Sequence, residues 1–355
     1  MAAFLRPVAR LLSAGLLSLL AGAAALSVGG CSKKTGPIAI APTTAAAPVS
    51  IDSDPMALMP FGALMVANLD AHQLANSTVG GDLVSLGERL IPFAGDIDFQ
   101  IKRDLDHAYI GMYSFSGADV LGVLSGTFHP DKLEAAAGKG LNTPYGVVVV
   151  STYAGRKLYT VANYGFTMLS EHTALAGTEP AMRRALDRIQ AGTVKREIAP
   201  WMSDWVTQPG FPVLVASDVT KQSFGKTVTN LLPWVQGVQY VRVSGRFNPD
   251  TSFGMSGALT YPDGTKAASA AQGLSSIAKS FVIMQVLKII GIDPLVRSLT
   301  VNASRNDVDF QTVISEKDLR AMLRLLTDGM GAIPSMPSGG GAPGLPTGSS
   351  GGTSI

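Results

Sequence analysis

The sequence predicts an α+β protein of two similar lobes, each a mainly antiparallel sheet with helices packed on one face. β-rich segments follow one another across short turn sequences, which is typical of hairpins and therefore of antiparallel pairing. Apolar residues at three-four spacing mark helices between these segments. Part of the pattern recurs 149 positions further along the chain, where the matched residues are Pro60 with Pro209, Val66 with Val215 and Ala67 with Ala216.

The strands are predicted in the same order in both lobes. In each lobe one strand leads into a helix, and a series of longer strands follows it. In the first lobe these segments are 63–68, the pair 105–115 and 119–128, and the pair 147–153 and 157–161. In the second lobe they are 213–217, the pair 238–247 and 253–261, and the pair 299–303 and 308–315.

Three segments carry clear helix signals. Thr178 and Pro180 are typical of a helix start, and an apolar face with outward-facing arginines follows them. Ser315 and Asp318 have the spacing of a capping box and predict a last helix. The segment 274–290 is so apolar that we expect a helix buried nearly all round.

Composition excludes several kinds of protein. The chain has 355 residues and one Cys, which cannot form an intrachain disulfide or a Cys-based zinc site. Its 28 basic and 26 acidic residues are nearly balanced, so nothing predicts a nucleic-acid partner. No motif indicates a cofactor or a metal site.

The first thirty residues predict a secretory signal, because Arg6 and Arg10 precede an uncharged apolar stretch from Leu11 to Val28. The stretch ends in Val28-Gly29-Gly30-Cys31, which resembles the lipobox of bacterial lipoproteins. That resemblance implies cleavage before Cys31 and attachment of a diacylglycerol to its thiol. Loss of residues 1–30 leaves 26 basic and 26 acidic residues, so the mature body is close to neutral.

The resemblance to lipoproteins also implies a location. Ser32, and not Asp, follows the Cys. In lipoproteins of two-membrane bacteria this implies delivery to the outer membrane, facing the periplasm. The remaining chain is similar to uncharacterised envelope lipoproteins, a resemblance that brings no catalytic residues.

The domain organisation follows from these segments. We expect a signal peptide over 1–30, a lipid anchor with a flexible Pro-rich tether over 31–54, a first lobe over 55–205 and a second lobe over 206–330. From residue 331 to 355 the chain is Gly, Pro and Ser with few side chains that can pack, and it is predicted to be disordered.

The three tryptophans are the candidate binding residues. Trp201, Trp205 and Trp234 lie near the predicted boundary between the lobes, and Trp201 and Trp205 share one side of a short helix after Pro200. Aromatic residues of this kind either contact a ligand or partner or pack between lobes. The cleft between two lobes is the first place to expect a ligand.

One acidic cluster also has chemical potential. Asp96, Asp98, Asp104, Asp106 and His107 lie within twelve residues. Such a group can hold a divalent metal or transfer protons, but a strand over 105–115 would point Asp106 and His107 to opposite faces. The sequence therefore favours a solvated turn that leads into a strand.

These observations predict a lipid-anchored, exported, non-enzymatic binding or assembly module. Two alternatives stay open. One is a carrier of a lipophilic ligand, which would use the apolar helix over 274–290. The other is a hydrolase, which requires Asp106, His107 or His129 to converge with a nucleophile or a water.

Overall fold

The computed structural model of the chain describes residues 51–91, 94–115, 119–143, 146–161, 163–277, 284–285, 287–288, 291 and 293–331. The predicted signal peptide, Cys31 and most of the tether precede these residues, and the Gly/Pro/Ser tail follows them. The predicted apolar helix over 274–290 lies largely outside them, although Leu274 and Ile277 are described and buried.

One 12-stranded sheet organises the described chain, and its strand order is β13-β14-β12-β11-β10-β1-β2-β3-β9-β8-β7-β6. The strands are β1 Met65–Asp70, β2 Leu105–Met112, β3 Val120–Gly126, β6 Val149–Tyr153, β7 Arg156–Val161, β8 Tyr164–Met168, β9 Thr173–Thr178, β10 Val213–Asp218, β11 Tyr240–Phe247, β12 Phe253–Thr260, β13 Thr300–Ser304 and β14 Asp307–Ile314. A separate two-stranded sheet joins β4 Asn142–Thr143 to β5 Gly146–Val147.

The helices fill the connections between these strands. They are α1 Ala71–Ala75, α2 Gly80–Leu90, α3 Ile101–Asp104, α4 Pro130–Gly138, α5 Glu179–Gln190, α6 Pro200–Val206, α7 Lys226–Leu231, α8 Gly264–Ile277, α9 Pro294–Arg297 and α10 Glu316–Gly331. Short 3₁₀ helices lie at Pro55–Leu58, Gly95–Ile97 and Pro233–Val235. In the described part of the chain, no helix has the length and apolar composition required to cross a membrane.

The two halves of the chain meet at the centre of the sheet. Strand β1 pairs antiparallel with β10, from Met65 opposite Ser217 to Leu69 opposite Val213. The strands that precede β10 in the chain lie on one side of this pair, and the strands that follow it lie on the other. The prediction of two lobes with a sheet each is therefore not confirmed, because the paired backbones of β1 and β10 make the sheet continuous.

Helices cover both faces of the sheet, which corrects the expectation of helices on one face. We define face A by Val66 and Asn68 and face B by Met65 and Ala67, since successive side chains of a strand point to opposite sides. On face A the first 3₁₀ helix, α5 and α6 bury Val66, Leu214 and Ala216. On face B, α8 packs in one further cluster. Helices α1, α2, α3 and α4 pack in another. Between these two clusters on face B lies a smaller one, formed by Met65, Ala67, Met112 and Val215 of the central strands.

The predicted hairpins are confirmed. Strands β2 and β3, β6 and β7, β11 and β12, and β13 and β14 all pair antiparallel. The turn between β6 and β7 uses Ala154 at φ 49° and Gly155 at φ 74°, the left-handed conformation that a two-residue hairpin turn requires. Strands β8 and β9 were missing from the prediction, and they place β6 and β7 in the main sheet through β3.

The sequence contains a second internal similarity besides the match at 149 positions, and the two differ in their structural outcome. The first, Val66-Ala67 with Val215-Ala216, falls on β1 and β10, which are equivalent first strands of each half. A second similarity, between 126–131 and 245–250, begins at the ends of β3 and β11. Strand β3 is the third strand of the first half, whereas β11 is the second strand of the second half. The two matched segments therefore do not occupy equivalent positions.

Candidate functional site

The structure separates the three tryptophans. Trp201 and Trp205 lie on α6 and pack on face A, whereas Trp234 packs on face B against the cluster that contains α8. The hydroxyl of Tyr261 donates to the carbonyl oxygen of Trp234 at 2.5 Å, and burial raises the pKa of Tyr261 to about 12. Trp234 is partly buried, as Trp201 and Trp205 are, but it packs on the opposite face of the sheet, so the three tryptophans do not form one surface.

Trp201 and Trp205 connect α6 to strand β11. The indole nitrogen of Trp205 donates to the carbonyl oxygen of Val243 at 3.1 Å. The Arg242 guanidinium lies 5.7 Å from the centre of the Trp205 ring, and Trp201 meets Tyr240 edge-on at 5.2 Å. Because α6 precedes β10 and β11 belongs to the second half, these contacts join the halves, which was one of the two predicted roles.

The contacts continue along β11 to form a partly exposed row that we call the aromatic–arginine stripe. Side chains two residues apart on a strand share a face, and Arg246 lies 6.0 Å from the ring centre of Phe211 on the same face as Arg242. The stripe consists of Trp201, Trp205, Phe211, Tyr240, Arg242 and Arg246.

Beside the stripe, side chains on face A of β13 and β14, the outer second-half strands, are exposed. Strand β14 alternates strictly, since Asp309, Gln311 and Val313 are exposed while Val308, Thr312 and Ile314 are buried. The neighbouring Thr300, Asn302 and Ser304 of β13 are exposed on the same face. We call these six exposed residues the open face; all but Val313 are polar, and none is aromatic.

A charged network joins the stripe to the open face. Arg242 donates to Asp307 at 2.9 Å, and the Thr260 hydroxyl donates to the other carboxylate oxygen of Asp307 at 2.5 Å. A shallow cavity of about 560 Å³ opens here, and its lining residues are Thr260, Ser304, Arg305, Asn306 and Asp307. This polar lining suits hydrogen-bonding groups and not an acyl chain.

The acidic cluster does not converge. Asp98 pairs with Lys132 at 2.7 Å, whereas Asp106 pairs with His72 at 3.2 Å. Asp104 is buried, and burial raises its pKa, but the hydrogen bonds from Arg103 and from the backbone of Gln100 outweigh this and lower it. No metal-binding group of His, Cys, Asp or Glu is found among the described residues.

The histidines of the hydrolase alternative are also apart. His107 contacts the side-chain oxygen of Asn68 at 3.2 Å on face A, whereas the neighbouring Asp106 is exposed and pairs with His72. His129 is the residue before α4. Asn68 in turn donates to the carbonyl oxygen of Val206 at 2.8 Å, which indicates a role in packing α6 on β1.

Hydrogen bonds and ion pairs of Asp52, Asp54 and Arg188 hold the first described residues on the body of the protein, and we call this set of contacts the clamp. The sequence analysis did not predict it. The Asp52 carboxylate accepts from Ser170 at 2.5 Å and from Thr173 at 2.6 Å, and these bonds lower the pKa of Asp52. Asp54 binds Arg196 at 2.6 Å, and this bond raises the pKa of Arg196. Partners more than a hundred positions apart leave no local pattern, so the sequence carries no signal for this clamp.

Arg188 completes the clamp and corrects the expectation that it faces solvent. Its side chain is only 13% exposed. It donates to the carbonyl oxygens of Ala57 at 3.1 Å and of Met59 at 3.0 Å, and to that of Lys195 at 2.7 Å. The segment that follows the predicted tether is therefore fixed to α5 on face A.

Comparison with known proteins finds little. No protein-family model matches the chain, and no curated protein sequence matches it. Three solved structures of TP0453 are similar to it at TM-scores of 0.49, 0.48 and 0.43, for crystal forms III, IV and I. Their identities are 14%, 14% and 13%, and the matches cover 77%, 76% and 77% of this chain and 99%, 96% and 98% of theirs.

Proposed function

We propose that this protein is a lipid-anchored, exported, non-enzymatic binding or assembly module of a bacterial envelope. The observation that carries the anchor is Val28-Gly29-Gly30-Cys31 at the end of an uncharged apolar stretch. Acyl chains contribute about 0.8 kcal/mol per buried methylene, so lipidation of Cys31 would hold the body at a membrane. Ser32 after the Cys supports the outer membrane, with the body in the periplasm.

The domain boundaries form part of the proposal. The signal spans 1–30, the anchor and tether 31–54, the two lobes 55–205 and 206–330, and the tail 331–355. The clamp at Asp52, Asp54 and Arg188 supports a boundary near residue 54, because the chain is bound to the body from there on. A force applied to the tether would be transmitted to the body through these ion pairs and hydrogen bonds on face A.

The two lobes would derive from a duplicated unit. In the repeat alignment Val66 corresponds to Val215 and Ala67 to Ala216, and in the sheet Val66 lies opposite Ala216 and Ala67 opposite Val215. A two-fold axis between these two pairs exchanges them. Such an axis passes through the middle of the β1–β10 pair, where a duplicated unit paired with itself would have it.

The proposed partner surface is the aromatic–arginine stripe with the open face. Tryptophan, tyrosine and arginine are the residues most enriched where protein partners bind tightly. Polar side chains at the rim of such a patch form hydrogen bonds and stay hydrated without a partner. A protein with a flat, mixed-polarity surface fits this arrangement.

The lipophilic-carrier alternative has less support. The cavity on face A is lined by polar side chains, and the described end of the apolar segment, at Leu274 and Ile277, is packed in a core. The hydrolase alternative needs Asp106, His107 and His129 in one pocket, and the separate contacts of these residues do not favour it.

The anchor is tested by metabolic labelling with an alkyne fatty acid and intact-mass measurement of protein extracted from membranes. We expect a labelled chain that begins at Cys31, and loss of the label in Cys31→Ala. Ser32→Ala is the matched control and keeps the label. An unlabelled chain that retains residues 1–30 would contradict the proposal.

The partner surface is tested by placing a photo-crosslinking amino acid at Gln311 of the open face in intact cells. Lys317, which is exposed on α10, is the control position. We expect one discrete adduct from position 311 that is absent from position 317 and is lost when Arg246→Glu reverses the charge of the stripe. Equal or diffuse adducts from both positions would count against this surface.

A further inference from the structure

Strand β6 forms one edge of the sheet and presents an unusual surface. It is the last strand in the sheet order, and Val149, Val150 and Thr152 are exposed. Val149 is 59% and Val150 is 45% exposed, and the preceding Val147 is 65% exposed. No charged residue or proline occurs from 146 to 153. Proteins normally protect such an edge with lysine, proline or a covering element.

The backbone of β6 is arranged to accept another strand. The two-residue turn makes Tyr153 and Arg156 a hydrogen-bonded pair, so alternate residues direct their N–H and C=O groups toward β7. The remaining residues, Val150 and Thr152, direct theirs outward. The backbone N–H of Val148 is already bound to Leu141, which limits the free edge to this short stretch.

The opposite edge differs. Strand β13 exposes Thr300, Asn302 and Ser304, which are polar, and helix α8 packs against it. Asparagine is depleted in strands, whereas valine is enriched. The apolar edge at β6 is therefore the one suited to pairing, and the contrast between the edges disfavours a head-to-tail chain of molecules through β6 and β13.

We propose that β6 joins two copies of this protein in an antiparallel β6–β6 pair with Ser151 on the two-fold axis. Val150 then lies opposite Thr152 of the partner subunit, and the pair exchanges both of its N–H···O bonds. Val149 lies opposite Tyr153 of the partner subunit, a β-branched and aromatic pair of the kind that stabilises sheets. With no charge on the strand, like charges do not oppose one another.

The symmetry suits a protein with an anchored tether, and this step rests on the proposed function. An antiparallel pair of identical strands has its two-fold axis perpendicular to the sheet, which leaves face A of both copies on the same side. Asp52 is bound to face A in each copy, at Thr173 of β9. Both tethers therefore leave from the same side of the dimer and can reach the same membrane. Anchoring both copies in one membrane raises the effective concentration of each copy near the other.

The first test measures the oligomeric state of the full chain, released from membranes in a mild detergent, by native mass spectrometry and sedimentation. We expect a concentration-dependent dimer for the parent and a monomer for Val150→Lys. Leu325→Lys is the matched control, because Leu325 is 53% exposed on α10, outside both β6 and the proposed partner surface, and it keeps the dimer. Circular dichroism of the lysine variants checks that both are folded.

The second test fixes the register. In the proposed pair the two Ser151 residues are directly opposed and close enough for a disulfide. We expect Ser151→Cys to form a disulfide-linked dimer on mild oxidation, whereas the parent and Leu325→Cys do not. A parent that stays monomeric over the whole concentration range, or a Ser151→Cys variant that cross-links no faster than Leu325→Cys, would overturn the proposal. The protomer mass reports acylation separately, so loss of the anchor and loss of the dimer are distinguishable.

Discussion

Trp205 donates its indole N–H to the carbonyl oxygen of Val243, and this bond ties α6, at the end of the first half of the chain, to β11 of the second. The two halves are therefore joined by side chains on face A as well as by the β1–β10 backbone pair. Trp205 also lies at the centre of the aromatic–arginine stripe. Packing between the halves and the proposed binding surface thus share this tryptophan.

The Trp205 bond can be tested by Trp205→Phe, which keeps a ring on Val243 and Arg242 but removes the donor. We expect a loss of about 1 kcal/mol in the free energy of unfolding, the usual net value of one hydrogen bond. Urea unfolding followed by circular dichroism measures it. Trp201→Phe is the control: Trp201 and Tyr240 meet in an edge-to-face contact, which a phenylalanine ring can also make, so we expect a smaller change. Equal losses in both variants would mean that ring size, and not the bond, matters.

Arg188 is predicted to be the most important arginine for stability. Arg188→Met leaves the carbonyl oxygens of Ala57 and Met59 without their donor, and we expect a loss of about 3 kcal/mol, because unsatisfied buried groups each cost about 1–3 kcal/mol. Thermal and urea unfolding measure it.

The matched control for Arg188 is Arg183→Met on the same helix. The Arg183 side chain is 43% exposed and pairs with Glu179 one turn away, so its removal should cost less than about 1 kcal/mol. If the two substitutions had the same effect, the clamp would not depend on Arg188.

Asp52 should make stability depend on pH. Its pKa is lowered in the folded protein by the hydrogen bonds from Ser170 and Thr173. A lowered folded-state pKa stabilises the fold above the unfolded value of about 4, and this contribution is lost as the pH falls through the folded-state pKa. We expect Asp52→Asn to be less stable than the parent at pH 7 and the difference to shrink at acidic pH.

Urea unfolding at several pH values measures this difference. Asp96→Asn, the same substitution at an exposed carboxylate, is the control and should destabilise the protein less than Asp52→Asn at pH 7. A constant difference between Asp52→Asn and the parent from pH 7 to pH 2 would contradict the role of the charge.

Gly177 is predicted to be required for the pairing of β3 with β9. Its φ is +149°, and a Cβ atom would lie 2.2 Å from the carbonyl oxygen of Val120. We expect Gly177→Ala to cost about 3 kcal/mol in the free energy of unfolding, from the strained backbone and the clash. Gly138→Ala at the end of α4, where a Cβ meets nothing within 4 Å, should be neutral or slightly stabilising. A neutral Gly177→Ala would show that the strands can shift to make room.

Local sequence determined much of the strand and helix content. The Ala154-Gly155 turn is encoded by adjacent residues, and so is the last helix, where the backbone N–H of Asp318 donates to the Ser315 hydroxyl at 3.2 Å. The start of α5 was predicted correctly, but the reason was only half right. The Thr178 side chain contacts the backbone of Val120 and makes no capping bond to its own helix.

What only the tertiary structure decided is which elements meet. The residues of β1 and β10 predict that each is a strand. The apolar pattern of a strand does not identify its neighbour, because every strand edge carries the same backbone N–H and C=O groups and can pair with any other unpaired edge. The side of the sheet on which α5 and α6 lie, the burial of Arg188 and the divergence of the three tryptophans all follow from that choice of neighbour. The signal and anchor that we propose are predicted without any fold, since a segment of this kind is recognised as a linear stretch before a chain has folded.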